Sequence, residues 1–263
     1  MKRLVRLFAV FAAIIIFSGN SREQTAVKPS ATSMAYARQL PFNVVAEYPH
    51  DSSAFTEGLF WDNGNLYEST GLLGQSTLRK TDLKTGKVLL QHRLPNDVFG
   101  EGIAEIDGKL VQLTWQKQRA YIYDSQNFNI VGSFNYQGEG WGLTTDGKSW
   151  ISSNGSDTLT WRDTKTFAPQ RSVQVTWNGQ PVKNLNELEW VDGKIWANVW
   201  YTNWILQIDP QDGRVLSYMD ISSLIPPNVD PENVPNGIAY DSATKQIFIT
   251  GKRWPKLYAI QLK

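Results

Sequence analysis

Along this chain, short runs of alternating apolar and polar residues recur after a fixed kind of turn. Lys109-Leu110-Val111-Gln112-Leu113-Thr114-Trp115 and Lys194-Ile195-Trp196-Ala197-Asn198-Val199-Trp200 are two such runs. Period-two alternation of this kind predicts half-buried β-strands, and beyond the N-terminus no stretch sustains a helical repeat. Each run follows an aliphatic residue, a short gap, and an Asp with a turn former. The five copies are Glu57-Gly58-Leu59 with Asp62-Asn63-Gly64, Glu101-Gly102-Ile103 with Asp107-Gly108, Trp141-Gly142-Leu143 with Asp146-Gly147, Glu187-Leu188-Glu189 with Asp192-Gly193, and Asn236-Gly237-Ile238 with Asp241. Taking Leu59, Ile103, Leu143, Leu188 and Ile238 as equivalent, the steps are about 44, 40, 45 and 50 residues, the length of a four-stranded propeller blade. Outer hairpins follow at turns such as Asp82-Leu83-Lys84-Thr85-Gly86 and Asp209-Pro210-Gln211-Asp212-Gly213. The predicted fold is all-β, a five-bladed β-propeller.

Five blades must close, because an open ring leaves unpaired strand edges in solvent. The last unit ends after Lys256 to Leu262, too soon for an outer strand of its own. The segment Phe42-Asn43-Val44-Val45-Ala46-Glu47-Tyr48, ahead of the first repeat, is the strand expected to complete it. The predicted propeller domain therefore runs over 39–263. Residues 1–20 read as a signal peptide: Lys2, Arg3 and Arg6 precede the uncharged run Leu7 to Phe17, which is too short to span a bilayer. Phe17-Ser18-Gly19-Asn20 is not a clean cleavage site, so an uncleaved N-terminal anchor is the alternative, and the membrane is a partner only in that case. Residues 21–38 read as a flexible tether. An exported protein, periplasmic or secreted, is expected, with a monomer as its simplest state.

Composition narrows the chemistry. Three of the 26 Lys and Arg lie in the leader, which leaves a slight excess of the 25 acids and no basic field for nucleic acid. With no Cys there is neither a lipoprotein box nor a disulfide, so the closed ring must supply stability. The two histidines, His50 and His92, sit near no acid at metal-binding spacing, and a Ser-His-Asp triad has little material. No phosphate cradle or dinucleotide fingerprint occurs. Most of the eleven Trp are expected in sheet-on-sheet cores. Any catalysis falls to carboxylates, a lysine, amides and indoles.

Those residue types gather at the start of the innermost strand of each blade and at the end of that strand, both expected around the central channel of a propeller. They are Phe55-Thr56-Glu57-Gly58-Leu59, Phe99-Gly100-Glu101-Gly102-Ile103, Thr114-Trp115, Gly140-Trp141-Gly142-Leu143, Leu185-Asn186-Glu187-Leu188-Glu189, Ala197-Asn198-Val199-Trp200 and Thr250-Gly251-Lys252-Arg253-Trp254. The repeated Gly fits backbone crowding near the axis. Glu187 and Glu189 read as structural and as facing opposite sides of their strand. The loop Pro226 to Glu232 lengthens the fourth step; its prolines make it a rigid connection, with a lid or contact surface as the other reading.

Seven motifs in order at blade spacing, Phe55 to Leu59, Phe99 to Ile103, Leu113-Thr114-Trp115, Gly140 to Leu143, Asn186 to Glu189 followed by Ala197 to Trp200, Asn236-Gly237-Ile238-Ala239 and Thr250 to Trp254, resemble the plant and bacterial type of glutaminyl-peptide cyclotransferase, and the resemblance runs from about Phe42 to Lys263. The resemblance implies a five-bladed propeller that converts an N-terminal glutamine to pyroglutamate and releases ammonia, with N-terminal Gln peptides and proteins as partners. It implies no cofactor and no metal for catalysis, and leaves room for a structural ion in the channel. By the same resemblance Glu101 matches the catalytic glutamate, and Asn186 and Lys252 the donors to the γ-carbonyl oxygen. Trp115, Trp141 and Trp200 match the indole positions, with Phe55 and Phe99 adding to the substrate wall. Glu57 stands where plant members tend to carry Gln, which leaves three roles for it: binding the substrate amine, raising the pKa of Glu101, or holding the channel together. Secreted propellers also serve as binding modules or as calcium-dependent lactonase- or esterase-like hydrolases, and a repeat signal alone does not separate these classes. Because the reaction handles only the first residue, broad tolerance at the second is expected.

Overall fold

A computed structural model describes residues 37–263; the expected leader and nearly all of the expected tether lie outside the described residues. Two strands, β1 (Arg38–Gln39) and β2 (Phe42–Pro49), precede the repeats. Blade one is β3 (Thr56–Asp62), β4 (Asn65–Thr70), β5 (Thr77–Asp82) and β6 (Val88–Arg93). Blade two is β7 (Gly100–Ile106), β8 (Lys109–Thr114), β9 (Arg119–Asp124) and β10 (Ile130–Asn135). Blade three is β11 (Leu143–Thr145), β12 (Trp150–Ser152), β13 (Thr158–Arg162) and β14 (Pro169–Gln174), followed by a small hairpin of β15 (Thr176–Trp177) and β16 (Gln180–Pro181). Blade four is β17 (Leu185–Val191), β18 (Lys194–Val199), β19 (Trp204–Ile208) and β20 (Val215–Asp220), and a 3-10 turn, Ser222–Leu224, leads out of it. Blade five is β21 (Pro235–Asp241), β22 (Gln246–Gly251) and β23 (Lys256–Leu262), with β2 as its outermost strand.

The closure expected from the sequence is therefore present. β2 pairs antiparallel with β23 from Phe42 opposite Leu262 to Pro49 opposite Lys256, so the two ends of the domain share one sheet. The inner strands β3, β7, β11, β17 and β21 touch in cyclic order, and β21 returns to β3. The sequence did not anticipate β1: Arg38 and Gln39 pair parallel with Ser217 and Tyr218 of blade four, and Leu40 is buried between blades four and five. The chain thus straps onto one blade before completing the next.

Between blades, apolar side chains of neighbouring sheets interlock. Leu59, Ile103, Leu143, Leu188 and Ile238, the equivalent residues of the repeat, are all essentially inaccessible, as are Trp150, Trp196 and Trp254. Nearer the axis the inner strands approach too closely for side chains. A Cβ on Gly58 would lie 2.7 Å from the amide nitrogen of Ile103, and one on Gly142 would collide with the carbonyl oxygen of Asn186. Blade four carries Glu187 in place of that glycine. Its carboxyl crosses the axis, where Oε1 accepts the Leu59 amide at 3.2 Å and Oε2 the Ile238 amide at 2.9 Å. Glu189 turns to the same strand, accepting the Tyr240 amide at 3.0 Å, and to the Thr144 hydroxyl at 3.3 Å. The two acids therefore share a face, contrary to the expectation of opposite sides, because residues two apart on a strand point the same way. Burial raises both carboxyls, that of Glu189 to about 8, and the charge of Glu189 adds to the rise of Glu187.

Two outcomes are expected. Deleting residues 38–50 removes the strap and the closing strand, and thermal melting followed by circular dichroism is expected to show no cooperative transition; unchanged melting would refute closure by β2. Glu187→Ala leaves two buried amides without an acceptor and is expected to cost roughly 2–5 kcal/mol in urea unfolding. Glu187→Gln, which keeps the volume and one acceptor, is expected to cost less.

Candidate active site

Each innermost strand except that of blade three breaks register with its neighbour at its start. The shifts fall between Thr56 and Gly58, Gly100 and Ile103, Leu185 and Leu188, and Pro235 and Ile238. A bulge of this kind re-aims one side chain out of the sheet plane. The residues at that place, immediately before the axial position, are Glu57, Glu101, Trp141, Asn186 and Asn236. The first four line one cavity of about 300 Å³ at the channel mouth. Asn236 stands behind it, donating to Glu57 Oε2 at 3.1 Å and to the Thr56 carbonyl at 2.9 Å.

The opposite end of the inner hairpin contributes the rest. Trp115 and Trp200 follow directly on β8 and β18, and Lys252 follows β22. With Phe55 and Phe99 they complete the lining, so all nine residues singled out from the sequence face the same cavity. Leu72, Tyr201 and Glu232 also line it and were not foreseen. Leu72 and Tyr201 lie on the loops that follow second strands of their blades, the same place that supplies Trp115 and Lys252, which is the signal that could have found them. Glu232 comes from the long loop before blade five, which is anchored by Ile225 and Val229 packed on the core.

At the floor, Lys252 donates to Glu57 Oε1 at 2.7 Å, both side chains being buried, and its ammonium sits 4.5 Å from the Phe55 ring centre. Burial pushes the Glu57 carboxyl up and the lysine pulls it back down. Glu101 is 6 % exposed, and no hydrogen bond from the described residues reaches its carboxyl. Burial, then the charge of Glu57, holds it well above the ordinary carboxyl range, against the opposing pull of Lys252. The Asn186 side-chain oxygen is buried without a partner. The site thus offers one carboxyl held well above its ordinary range, one ammonium with donors to spare after Glu57 takes one, and one unspent carboxamide. Among the described residues no three acidic or histidine side chains converge as metal ligands, and the oxygens of Glu187 are spent on backbone amides.

His50 occupies a different niche. Its Nδ1 donates to the Trp254 carbonyl at 2.6 Å and its Nε2 to Glu68 at 3.0 Å, which ties the hairpin bearing Lys252 to blade one. His92 lies in the outer strand β6, as expected.

Comparison with known proteins places the chain in a family. A family model described as glutamine cyclotransferase matches residues 13–262. A glutaminyl-peptide cyclotransferase of Arabidopsis thaliana is 43% identical over 226 residues, covering 84% of this chain and 71% of that protein. The crystal structure of Myxococcus xanthus glutaminyl cyclase superposes with a TM-score of 0.82 at 36% identity, covering 86% of this chain and 98% of that one. With a whole-domain match in sequence and in fold, this chain belongs to the glutamine cyclotransferase family.

Proposed function

We infer that this protein is a glutaminyl-peptide cyclotransferase, closing the N-terminal glutamine of peptides and proteins into pyroglutamate with release of ammonia. Family membership supports the activity, and one observation supports the assignment of roles: a buried carboxyl without a partner, Glu101, faces an ammonium and an unspent carboxamide across a small aromatic cavity.

The reaction is an intramolecular aminolysis, so the enzyme must fold one side chain and move two protons. The aromatic walls exclude water and press the glutamine side chain toward its own α-amine. As that amine attacks the γ-carbonyl, the new C–N bond forms and charge grows on the carbonyl oxygen. Lys252 and Asn186 supply donors to that oxygen. Glu101 accepts the proton released by the attacking nitrogen and delivers one to the departing amide nitrogen, which leaves as ammonia when its bond to the carbonyl carbon breaks. An ordinary surface carboxylate would be too weak a base for the first transfer and too weakly protonated for the second. Burial and the charge of Glu57 remedy both. Of the three roles open to Glu57, the geometry supports two at once: it anchors Lys252 and repels the charged form of Glu101.

Ammonia released from a Gln-leading dipeptide tests the activity, and its absence with every N-terminal Gln peptide would favour a binding module. Glu101→Gln keeps the shape and is expected to lower turnover by about 10²-fold or more without changing the melting temperature. Lys252→Ala is expected to cost on the order of 10²-fold. Glu57→Gln keeps an acceptor for Lys252 and is expected to stay substantially active. Removing its charge favours ionised Glu101, so the acidic limb of the turnover profile should move to lower pH. An active Glu101→Gln beside a dead, folded Glu57→Gln would reverse the two assignments.

A further inference from the structure

The aromatic lining is built as two arcs. In one, Phe55 meets Phe99 edge-on at 6.3 Å and Phe99 meets Trp115 at 5.8 Å. In the other, Trp141 meets Trp200 edge-on at 5.4 Å and Trp200 stacks on Tyr201 at 4.1 Å. The gap between Trp115 and Trp141 is bridged by a polar clamp. Glu139, on the connection between blades two and three, accepts the Trp141 indole N–H at Oε2 (3.0 Å) and the Gln116 amide at Oε1 (3.1 Å). Gln116 directly follows Trp115, and the amide of Gly140 donates to the Trp115 carbonyl at 3.1 Å. One short segment therefore grips both indoles, Trp115 through backbone and Gln116, and Trp141 through its ring nitrogen.

We propose that Glu139 is a positioning residue for the cyclisation: its carboxylate locks Trp141 and Trp115 into one continuous wall, and its negative charge, fixed by that clamp, acts on Glu101 from outside the cavity. This role rests on the cyclotransferase reading. The residue touches no substrate; it acts through the two rings and through space. Burial pushes the Glu139 carboxyl up, and the hydrogen bonds it accepts, from Gln116 and Trp141 among them, together outweigh burial and hold it below the ordinary range. The groups whose charge bears on Glu101 are Glu57, Lys252 and Glu139, with the Tyr136 phenol facing it in turn. Glu57 and Glu139 favour its neutral form and Lys252 its ionised form. A flexible glutamine side chain needs its walls placed closely, because small displacements of positioning groups are felt in turnover.

The test compares wild type, Glu139→Ala and Glu139→Gln by kcat and KM on a Gln-leading dipeptide amide across pH. It adds the indole N–H resonances in nitrogen-15 spectra, with Trp141→Phe used to assign the Trp141 signal. Glu139→Ala is expected to lower kcat about tenfold, to move the Trp141 indole signal upfield, and to shift the acidic limb of kcat to lower pH. Glu139→Gln keeps an acceptor, so it should restore most of kcat and of the indole shift while the limb stays displaced, since the charge is still missing. An active wild type whose Trp141 signal and acidic limb ignore Glu139→Ala would overturn this role alone. A wild type that releases no ammonia from any Gln peptide would overturn the cyclotransferase reading, and this role with it.

Discussion

Five inner strands converge on one axis, and the space left there decides the rest of the molecule. Four blades meet the constraint with glycine, at Gly58, Gly102, Gly142 and Gly237, where a side chain would run into a neighbouring backbone or side chain. The fifth uses Glu187, whose carboxyl occupies the central space and accepts amides from blades one and five. A buried acid is costly unless its oxygens are satisfied. Here both are, and burial favours its proton-bound form. The ring is thus held at its centre by hydrogen bonds to one side chain and at its rim by β2.

The same crowding creates the site. At the start of four inner strands the ladder slips by a residue, and the side chain before the axial position is thrown toward the channel mouth. One structural position repeated around the ring carries two carboxyls, Glu57 and Glu101, one indole, Trp141, and two carboxamides, Asn186 and Asn236. Symmetry of the backbone brings the first four to one cavity and sets Asn236 behind it. Two carboxyls placed this close cannot both ionise freely. Lys252 pairs with Glu57, and Glu101 is left without that pairing and held well above the ordinary carboxyl range.

Closure also serves chemistry. The hairpin after β22 that bears Lys252 is fastened to blade one by Arg253, whose amide donates to the Ala54 carbonyl at 2.7 Å, and by His50. Glu68 receives both His50 and the Thr56 hydroxyl, the latter at 2.7 Å, and outweighs burial to raise the imidazole above its usual range. A charged imidazole between a carbonyl and a carboxylate is a stiff joint, because both ring nitrogens donate at once. The lysine is thereby held at the seam where the first and last blades meet.

The amino-acid sequence by itself determined the number of blades, the closing strand and nine of the twelve residues that line the cavity, because each rests on a periodic pattern: alternation for strands, blade spacing for the ring, and motif order for the mouth. Equivalent positions around a ring must converge, so Glu101, Asn186 and Lys252 could be placed together from spacing and resemblance alone. It did not reveal β1, since two residues carry no period, nor Asn236 as the partner of Glu57, nor Glu139, which lies outside the repeated phrase. Glu187 and Glu189 were legible as structural, but their common face and their partners depend on which amides the axis brings opposite them. Pairing of Lys252 with Glu57 and the isolation of Glu101 were decided only by the tertiary structure, because both follow from distances and burial between blades some 50 to 200 residues apart along the chain.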